Sequence, residues 1–200
     1  WMQTHGRDAA WDVVRRLFTI TLVVLSAIAV LGIVLAPWII DLYTVGYPPV
    51  QREALHDLAT FFLRFFMPQV VFYGIGAVAA GLLNSHRRFA APMFAPIANN
   101  LIVIATFLVF YAMPGPAEGS HELATGAQQL VLAVGTTLGV VAMTVALWPS
   151  VRATGFRFRW IGGVRDEAIV RIGRLATWVI VHVVANQLGS LIVLILAGEI

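Results

Sequence analysis

The polar side chains best suited to chemistry in this chain lie inside long apolar runs. Six of them stand out: Arg64, Asn99, Asn100, His182, Asn186 and Gln187. Lipid cannot satisfy such groups, so in a membrane protein they face the bundle interior, a water-filled cavity or the interface. Their chemistry is charge and hydrogen bonding toward a polar or ionic ligand, or toward a neighbouring helix.

Each of these groups has a structural and a functional interpretation. Arg64 lies roughly 9 Å from the nearer end of its run at 1.5 Å per residue. It either extends its guanidinium to the headgroups or contacts an anionic substrate at the mouth of a cavity. His182 and Asn186 are four residues apart and share a helix face. They form an interhelical hydrogen bond or line a cavity as ion ligands.

Enzymatic motifs are missing from the sequence. The five histidines do not have the spacing of a metal motif such as HExxH, and neither a P-loop nor a GxSxG motif occurs. The chain contains no cysteine, which excludes a disulfide framework and a thiolate metal site. We therefore expect no catalytic residues, metal or cofactor, and an enzyme is disfavoured.

The composition is that of an integral membrane protein. Hydrophobic residues make up 60% of the 200 residues, charged residues make up 12%, and the mean hydropathy is +0.86. Five runs are long enough to span a bilayer as helices. They cover about residues 17–40, 58–83, 91–112, 130–148 and 175–196. The predicted fold is all-α, a polytopic membrane helix bundle.

Loop charge predicts the orientation of these spans. All 13 basic residues are arginine, and 11 of them fall in three segments that alternate with two segments holding only Arg52. The positive-inside rule places residue 1 in the cytoplasm. The net charge of +3 therefore reflects membrane topology, and no nucleic-acid partner is expected.

The Arg-rich segment between the fourth and fifth spans also carries aromatic residues. Phe156, Phe158 and Trp160 alternate with arginines there. The mix predicts an amphipathic segment on the inner leaflet, with its aromatic rings in the interface and its arginines on anionic headgroups.

Prolines shape two of the spans. Pro68 interrupts the second, and the stretch LLNSHRRFAAPMFAPIANN places Pro92 and Pro96 at the start of the third. We expect Pro92 to begin that helix and Pro96 to bend it, with Asn99 and Asn100 satisfying the freed backbone groups. Broken helices with polar residues also form the cavities and hinges of transporters.

This stretch resembles the lipid II flippase (MurJ/MviN) family of the multidrug/oligosaccharidyl-lipid/polysaccharide exporter superfamily. The resemblance rests on Asn84, Arg88, Phe89, Pro92, Phe94, Pro96 and Asn100. It implies two six-helix lobes facing a central cavity, with about fourteen helices in all. The chain is then an internal piece holding the third to seventh helices. Residues 1–150 belong to the first lobe, 151–174 are the cytoplasmic inter-lobe linker, and 175–200 begin the second lobe.

The resemblance also implies a function. Family members move lipid II, an undecaprenyl-pyrophosphate-linked peptidoglycan precursor, from the inner to the outer leaflet of the bacterial plasma membrane. Cell-wall synthesis proteins are then expected as partners. The family's main cavity arginines lie on helices outside this segment. Sodium or membrane-potential coupling is not visible here, because the fifth span lacks an interior carboxylate and Asn186 is only a neutral substitute.

Three functional alternatives remain open from the sequence. The first is a flippase for another polyprenyl-linked glycan, and the second is a related exporter. An antiporter should carry buried acidic residues for ion coupling, and the interiors of the five runs have none. The third is a transporter-like membrane scaffold without transport activity.

Overall fold

The computed structural model describes residues 7–44, 48–116, 124–161 and 167–198. Six helices occupy most of these ranges: α1 (Arg7–Tyr43), α2 (Pro49–Phe66), α3 (Gln69–Ser85), α4 (Ala90–Ala112), α5 (Gly126–Arg152) and α6 (Glu167–Gly198). No strand occurs within the described ranges. The predicted all-α fold is confirmed.

Four helical stretches within the described ranges are long and apolar enough to cross a membrane. They are Ala10–Tyr43, Leu55–Ser85, Ala90–Ala112 and Gly126–Arg152. They coincide with the first four predicted spans, and the second of them contains both α2 and α3. The chain therefore forms a polytopic membrane helix bundle, as predicted.

The fifth predicted span lies within α6. This helix begins at Glu167, before the predicted start of the span at residue 175 and inside the predicted 151–174 linker. Residues 167–174 are thus helical and continuous with the predicted span. Within the described chain, α6 packs against α1.

Local sequence explains where two of the helices begin. At the start of α5, the Thr125 hydroxyl accepts a hydrogen bond from the Gln128 backbone N–H at 3.2 Å. The Gln128 side chain in turn accepts one from the Thr125 backbone N–H at 3.0 Å. This reciprocal pair is a capping box, which satisfies two donors that a helix start leaves unpaired. Helix α2 begins with Pro49, where the missing N–H costs nothing.

Helix α3 lies at the centre of the bundle, between α1 and α5. Helix α4 packs along α5 in the most extensive helix contact of the described chain. Two glycines of α5 allow this close approach. Gly135 faces the side chain of Thr106, and a Cβ built at Gly139 would lie 2.6 Å from Asn99 Oδ1. Small residues serve this purpose in membranes, where dispersion between close backbones drives association.

The buried core is concentrated at one end of the bundle. It combines Phe18 of α1, Leu83 of α3, and Leu147 and Val151 of α5 with Phe156, which follows α5. Four helix ends meet here: the start of α1, the end of α3, the start of α4 and the end of α5. We call this the basic end, because Arg15, Arg88, Arg152 and Arg157 lie at it.

The glycine contact between α4 and α5 leads to a stability prediction. In Gly135→Ala the new methyl group meets Thr106, so the helices must separate, and overpacking of this kind costs about 1–3 kcal/mol. The thermal unfolding temperature of the full-length protein in detergent should fall. The matched control is Gly81→Ala on α3, where nothing lies within 4 Å of the added carbon. Equal unfolding temperatures for the two variants would contradict the close packing.

Candidate functional site

The second span is broken at Met67 and Pro68. Helix α2 ends at Phe66 and α3 begins at Gln69. Proline has no N–H to donate, so the chain crosses this point through a tight turn. The Val70 N–H bonds to the Met67 carbonyl and the Val71 N–H to the Pro68 carbonyl, each at 3.2 Å. Motion about this break, the hinge role, stays a prediction.

Neighbouring helices hold the broken region in place. The Met67 side chain occupies the space above Gly32 of α1. On the other side, Gln69 Nε2 donates a hydrogen bond to Thr137 Oγ1 of α5 at 2.8 Å. Polar groups in lipid need such partners, so this bond ties the start of α3 to the middle of α5.

A second polar contact joins α3 and α5 further along. The Thr144 hydroxyl lies 3.1 Å from the carbonyls of Phe72 on α3 and of Val140 in its own helix. Thr144 is buried, and Gly76 leaves room for it against α3. Sequence reasoning did not single out Gln69, Thr137 or Thr144. A sequence feature could have identified them, because each is a hydrogen-bonding residue inside an apolar run.

The proline-rich start of α4 is helical throughout. Pro92 lies in the first turn and Pro96 lies inside the continuous helix. Asn99 Nδ2 donates to Asn100 Oδ1 at 3.4 Å, whereas Asn99 Oδ1 is buried against Gly139 without a hydrogen-bond partner. The two amides therefore bond to each other, and the described contacts do not pair them with freed backbone groups as expected.

The turn between α3 and α4 carries the arginine of the sequence motif. Arg87 has a φ of 57°, and the Arg88 N–H bonds to the Leu83 carbonyl at 2.9 Å. The Arg88 guanidinium donates to the carbonyl of Ala153, the C-cap residue of α5, at 3.1 Å. A cation on a helix C-terminus is favourable because it faces unpaired carbonyls. Arg88 thus fixes the end of α5 to the turn before α4.

The other motif residues lie at the surface of this part of the bundle. Asn84 is exposed on the last turn of α3, and Phe89, the N-cap residue of α4, is also exposed. Phe94 projects from the first turns of α4 with most of its surface uncovered. Because they are exposed in the described chain, these three residues are available to lipid or to further helices.

An aromatic cluster fills the basic end. Phe156 stacks on Phe18 with ring centroids 5.0 Å apart and contacts Trp11 at 5.9 Å. Trp11 also stacks on His86 at 5.6 Å with an interplanar angle of 20°. The cluster joins α1, the end of α3 and the segment after α5. Aromatic pairs of this kind stabilise beyond the area they bury.

The cluster corrects one prediction about the Arg-rich segment. Phe156 was expected in the membrane interface, but it is only 3% exposed and belongs to the core. Gly155, with a φ of 88°, turns the chain back toward α1. The Arg15 Nε–H then donates to the Arg157 carbonyl at 3.1 Å and holds the returning segment. Phe158 and Trp160 remain exposed, at 43% and 59%.

The remaining candidate residues lie apart from this cluster. Arg64 is exposed on the last turn of α2. Asn186 Nδ2 lies 3.0 Å from His182 Nε2 and donates to the His182 carbonyl at 3.0 Å, so these two share a face of α6 as predicted. They and Gln187 are exposed in the described chain. Their roles as substrate, cavity or ion contacts stay predictions.

These features define a polytopic α-helical membrane protein with a proline-broken span and a closely packed, arginine-bearing end. A family model described as "Lipid II flippase MurJ" matches residues 2–200. The chain therefore belongs to the MurJ lipid II flippase family.

Individual relatives agree with this family. The chain is 30% identical over 101 residues to the lipid II flippase MurJ of Burkholderia cenocepacia, covering 50% of the chain and 19% of the relative. It is 29% identical over 105 residues to a probable lipid II flippase MurJ of Rickettsia prowazekii, covering 52% and 20%. A third such relative, from Rhizobium meliloti, is 26% identical over 176 residues, covering 87% and 30%. The chain thus spans less than a third of the length of these relatives.

The aromatic cluster leads to a second stability prediction. Replacing the buried ring in Phe156→Ala leaves a cavity among α1, α3 and α5 and should cost about 3–5 kcal/mol. The control is Phe158→Ala, two residues away on the same segment, which removes a ring that is already half exposed. Unfolding temperatures of the full-length protein in detergent compare the two. A loss for Phe158→Ala as large as that for Phe156→Ala would contradict the described core.

Proposed function

We propose that the full-length protein moves lipid II from the inner to the outer leaflet of the plasma membrane by alternating access. The observation that carries this proposal is the family match, which extends over residues 2–200. Two of the relatives named above are called probable lipid II flippases, and the third is called a lipid II flippase. The protein is then a transporter of a lipid-linked oligosaccharide.

The chemistry of lipid II explains why a protein is needed to move it across the membrane. The lipid II headgroup is large, polar and carries a pyrophosphate, and moving unpaired charges through hydrocarbon is prohibitively expensive. A cavity that opens alternately to each side lowers that cost, because the headgroup exchanges water for fixed polar groups.

The described helices would supply the frame around such a cavity. The α4–α5 pair, held by Gly135 and Gly139, and the aromatic cluster would move as one body. The proline break between α2 and α3 is the candidate hinge, since the backbone hydrogen-bond ladder is interrupted there. Under this proposal the outer part of the second span bends relative to the fixed basic end.

Orientation follows from the same proposal. The positive-inside rule places the basic end, with Arg15, Arg88, Arg152 and Arg157, in the cytoplasm. Arg64 then lies toward the outer side of the membrane, where it either contacts headgroups or receives the anionic headgroup of the substrate.

The test is complementation in cells depleted of their own lipid II flippase. We expect the full-length protein to restore the precursor on the outer leaflet, measured by its accessibility to an externally added modifying enzyme. In Asn100→Leu the partner of the Asn99 amide is lost, so restoration should fall although the variant still inserts. Restoration should also fall in Pro96→Leu, because leucine supplies the backbone N–H that proline lacks and so closes the gap in the α4 hydrogen-bond ladder.

The matched control is Leu101→Met, a volume-conserving change at an exposed position next to Asn100. It should restore the precursor as well as the unchanged protein does. If the full-length protein inserts normally and restores nothing, lipid II is not its substrate. Restoration of a different polyprenyl-linked glycan would then indicate a related flippase, and no restoration of any would indicate a scaffold.

A further inference from the structure

A cavity of about 550 Å³ lies beside the last turn of α5 at the basic end. Its walls consist of Trp148, Arg152, Gly155, Phe156, Arg157 and Phe158. The volume falls within the ~300–1,000 Å³ of ordinary small-molecule sites. The cavity is therefore large enough for a small polar headgroup together with part of an apolar body.

The charge of the cavity is positive. Two guanidinium groups line it, those of Arg152 and Arg157, and no carboxylate is among the described residues that line it. Neither guanidinium makes a hydrogen bond or ion pair to the part of the chain that the structure describes. Their N–H donors are therefore available to an anion, and arginine donors match phosphate oxygens in pairs.

The two arginines are placed by different parts of the structure. The Arg152 guanidinium lies 5.8 Å from the centre of the Trp148 ring, a cation–π contact that restrains the side chain without using a hydrogen-bond acceptor. Arg157 is placed by its backbone, because its carbonyl accepts from Arg15 and the preceding Gly155 turns the chain. The cavity is thus built by fixed contacts.

The cavity also lies at the depth of the headgroups. Helix α5 is a membrane-spanning stretch that ends at Arg152, one turn after Trp148. Tryptophan is enriched at the membrane–water interface, where its ring is half in apolar surroundings. Phe158 adds a partly exposed apolar wall next to Arg157. Cations beside aromatic faces at this depth fit a phosphate attached to an acyl body.

We propose that this cavity binds the headgroup phosphate of an anionic phospholipid from the leaflet at the basic end. The lipid is a resident one that braces the end of α5 against the returning segment, and it is distinct from the transported cargo. Two arginines, with no carboxylate among the described residues that line the cavity, favour an anionic headgroup over a zwitterionic one. The proposal holds whichever substrate the protein moves.

The test is a lipid titration of the full-length protein in detergent, followed by native mass spectrometry. The probes are phosphatidylglycerol and, separately, zwitterionic phosphatidylcholine. Each arginine near a membrane surface contributes about fivefold to the affinity for an anionic lipid, so Arg152→Gln/Arg157→Gln should lose about 25-fold for the first phosphatidylglycerol. Affinity for phosphatidylcholine should change little.

The matched control is Arg159→Gln. Arg159 is exposed on the same segment but does not line the cavity, so its loss should leave the first phosphatidylglycerol in place. An equal loss in this variant would show diffuse surface attraction and overturn the proposal. Unchanged binding by the double glutamine variant would also overturn it.

Two further measurements complete the test. Arg152→Lys/Arg157→Lys keeps the charge and lacks the planar donor fork, so it should bind the first phosphatidylglycerol more weakly than the unchanged protein does. If the double glutamine variant does not fold, the double lysine variant replaces it in the test. Undiminished affinity of the double lysine variant for phosphatidylglycerol would then overturn the proposal. Displacement of phosphatidylglycerol by purified lipid II at equal concentration would assign the cavity to the cargo, which also overturns the proposal.

Discussion

The burial of Phe156 is the interaction on which the rest of the bundle depends. This ring follows α5 in sequence, yet it lies against Phe18 and Trp11 of α1 and joins the core that contains Leu83. Burial of apolar surface favours folding of the segment after α5 back onto the bundle. Because Phe156 returns, the start of α1 and the ends of α3 and α5 share one core.

Polar contacts set the remaining geometry around that core. Arg88, in the turn before α4, donates to the Ala153 carbonyl, and Arg15 of α1 donates to the Arg157 carbonyl. Two cationic side chains from elsewhere in the bundle therefore hold the returning segment. Deeper in the membrane, single hydrogen bonds from Gln69 and Thr144 to neighbouring helices replace the apolar driving force that lipid does not provide. The result is one firmly packed end and a proline-broken span leading away from it.

The sequence predicted the helices well because their signal is local. Apolar run length and arginine placement located the first four spans, and Pro68 marked the break between α2 and α3. The burial of Phe156 was missed, since alternation of Phe with Arg also describes a surface segment and only the turn at Gly155 distinguishes the two. The contact of Arg88 with Ala153 joins residues 65 apart in sequence, so a local sequence pattern could not predict it.

The site was less predictable than the fold for a related reason. Asn99 and Asn100 were expected to satisfy freed backbone groups, but the close approach of Gly139 buries the Asn99 side-chain oxygen, and the Asn99 side-chain nitrogen donates to Asn100. That outcome depends on the distance between α4 and α5, which is set by tertiary packing and not by local sequence. Arg64 and the His182–Asn186 pair lie on helices as predicted, and their functional roles stay predictions.

The decisive measurement is transbilayer movement of lipid II by the purified full-length protein. Fluorescent lipid II in both leaflets of reconstituted vesicles would be bleached from outside by a membrane-impermeant reductant. If the protein moves lipid II, vesicles that contain it should lose the protected inner-leaflet signal. Protein-free vesicles should keep that signal, and so should vesicles that contain the protein with fluorescent phosphatidylglycerol in place of fluorescent lipid II. Retention of the lipid II signal in vesicles that contain folded protein would show that the protein does not move lipid II.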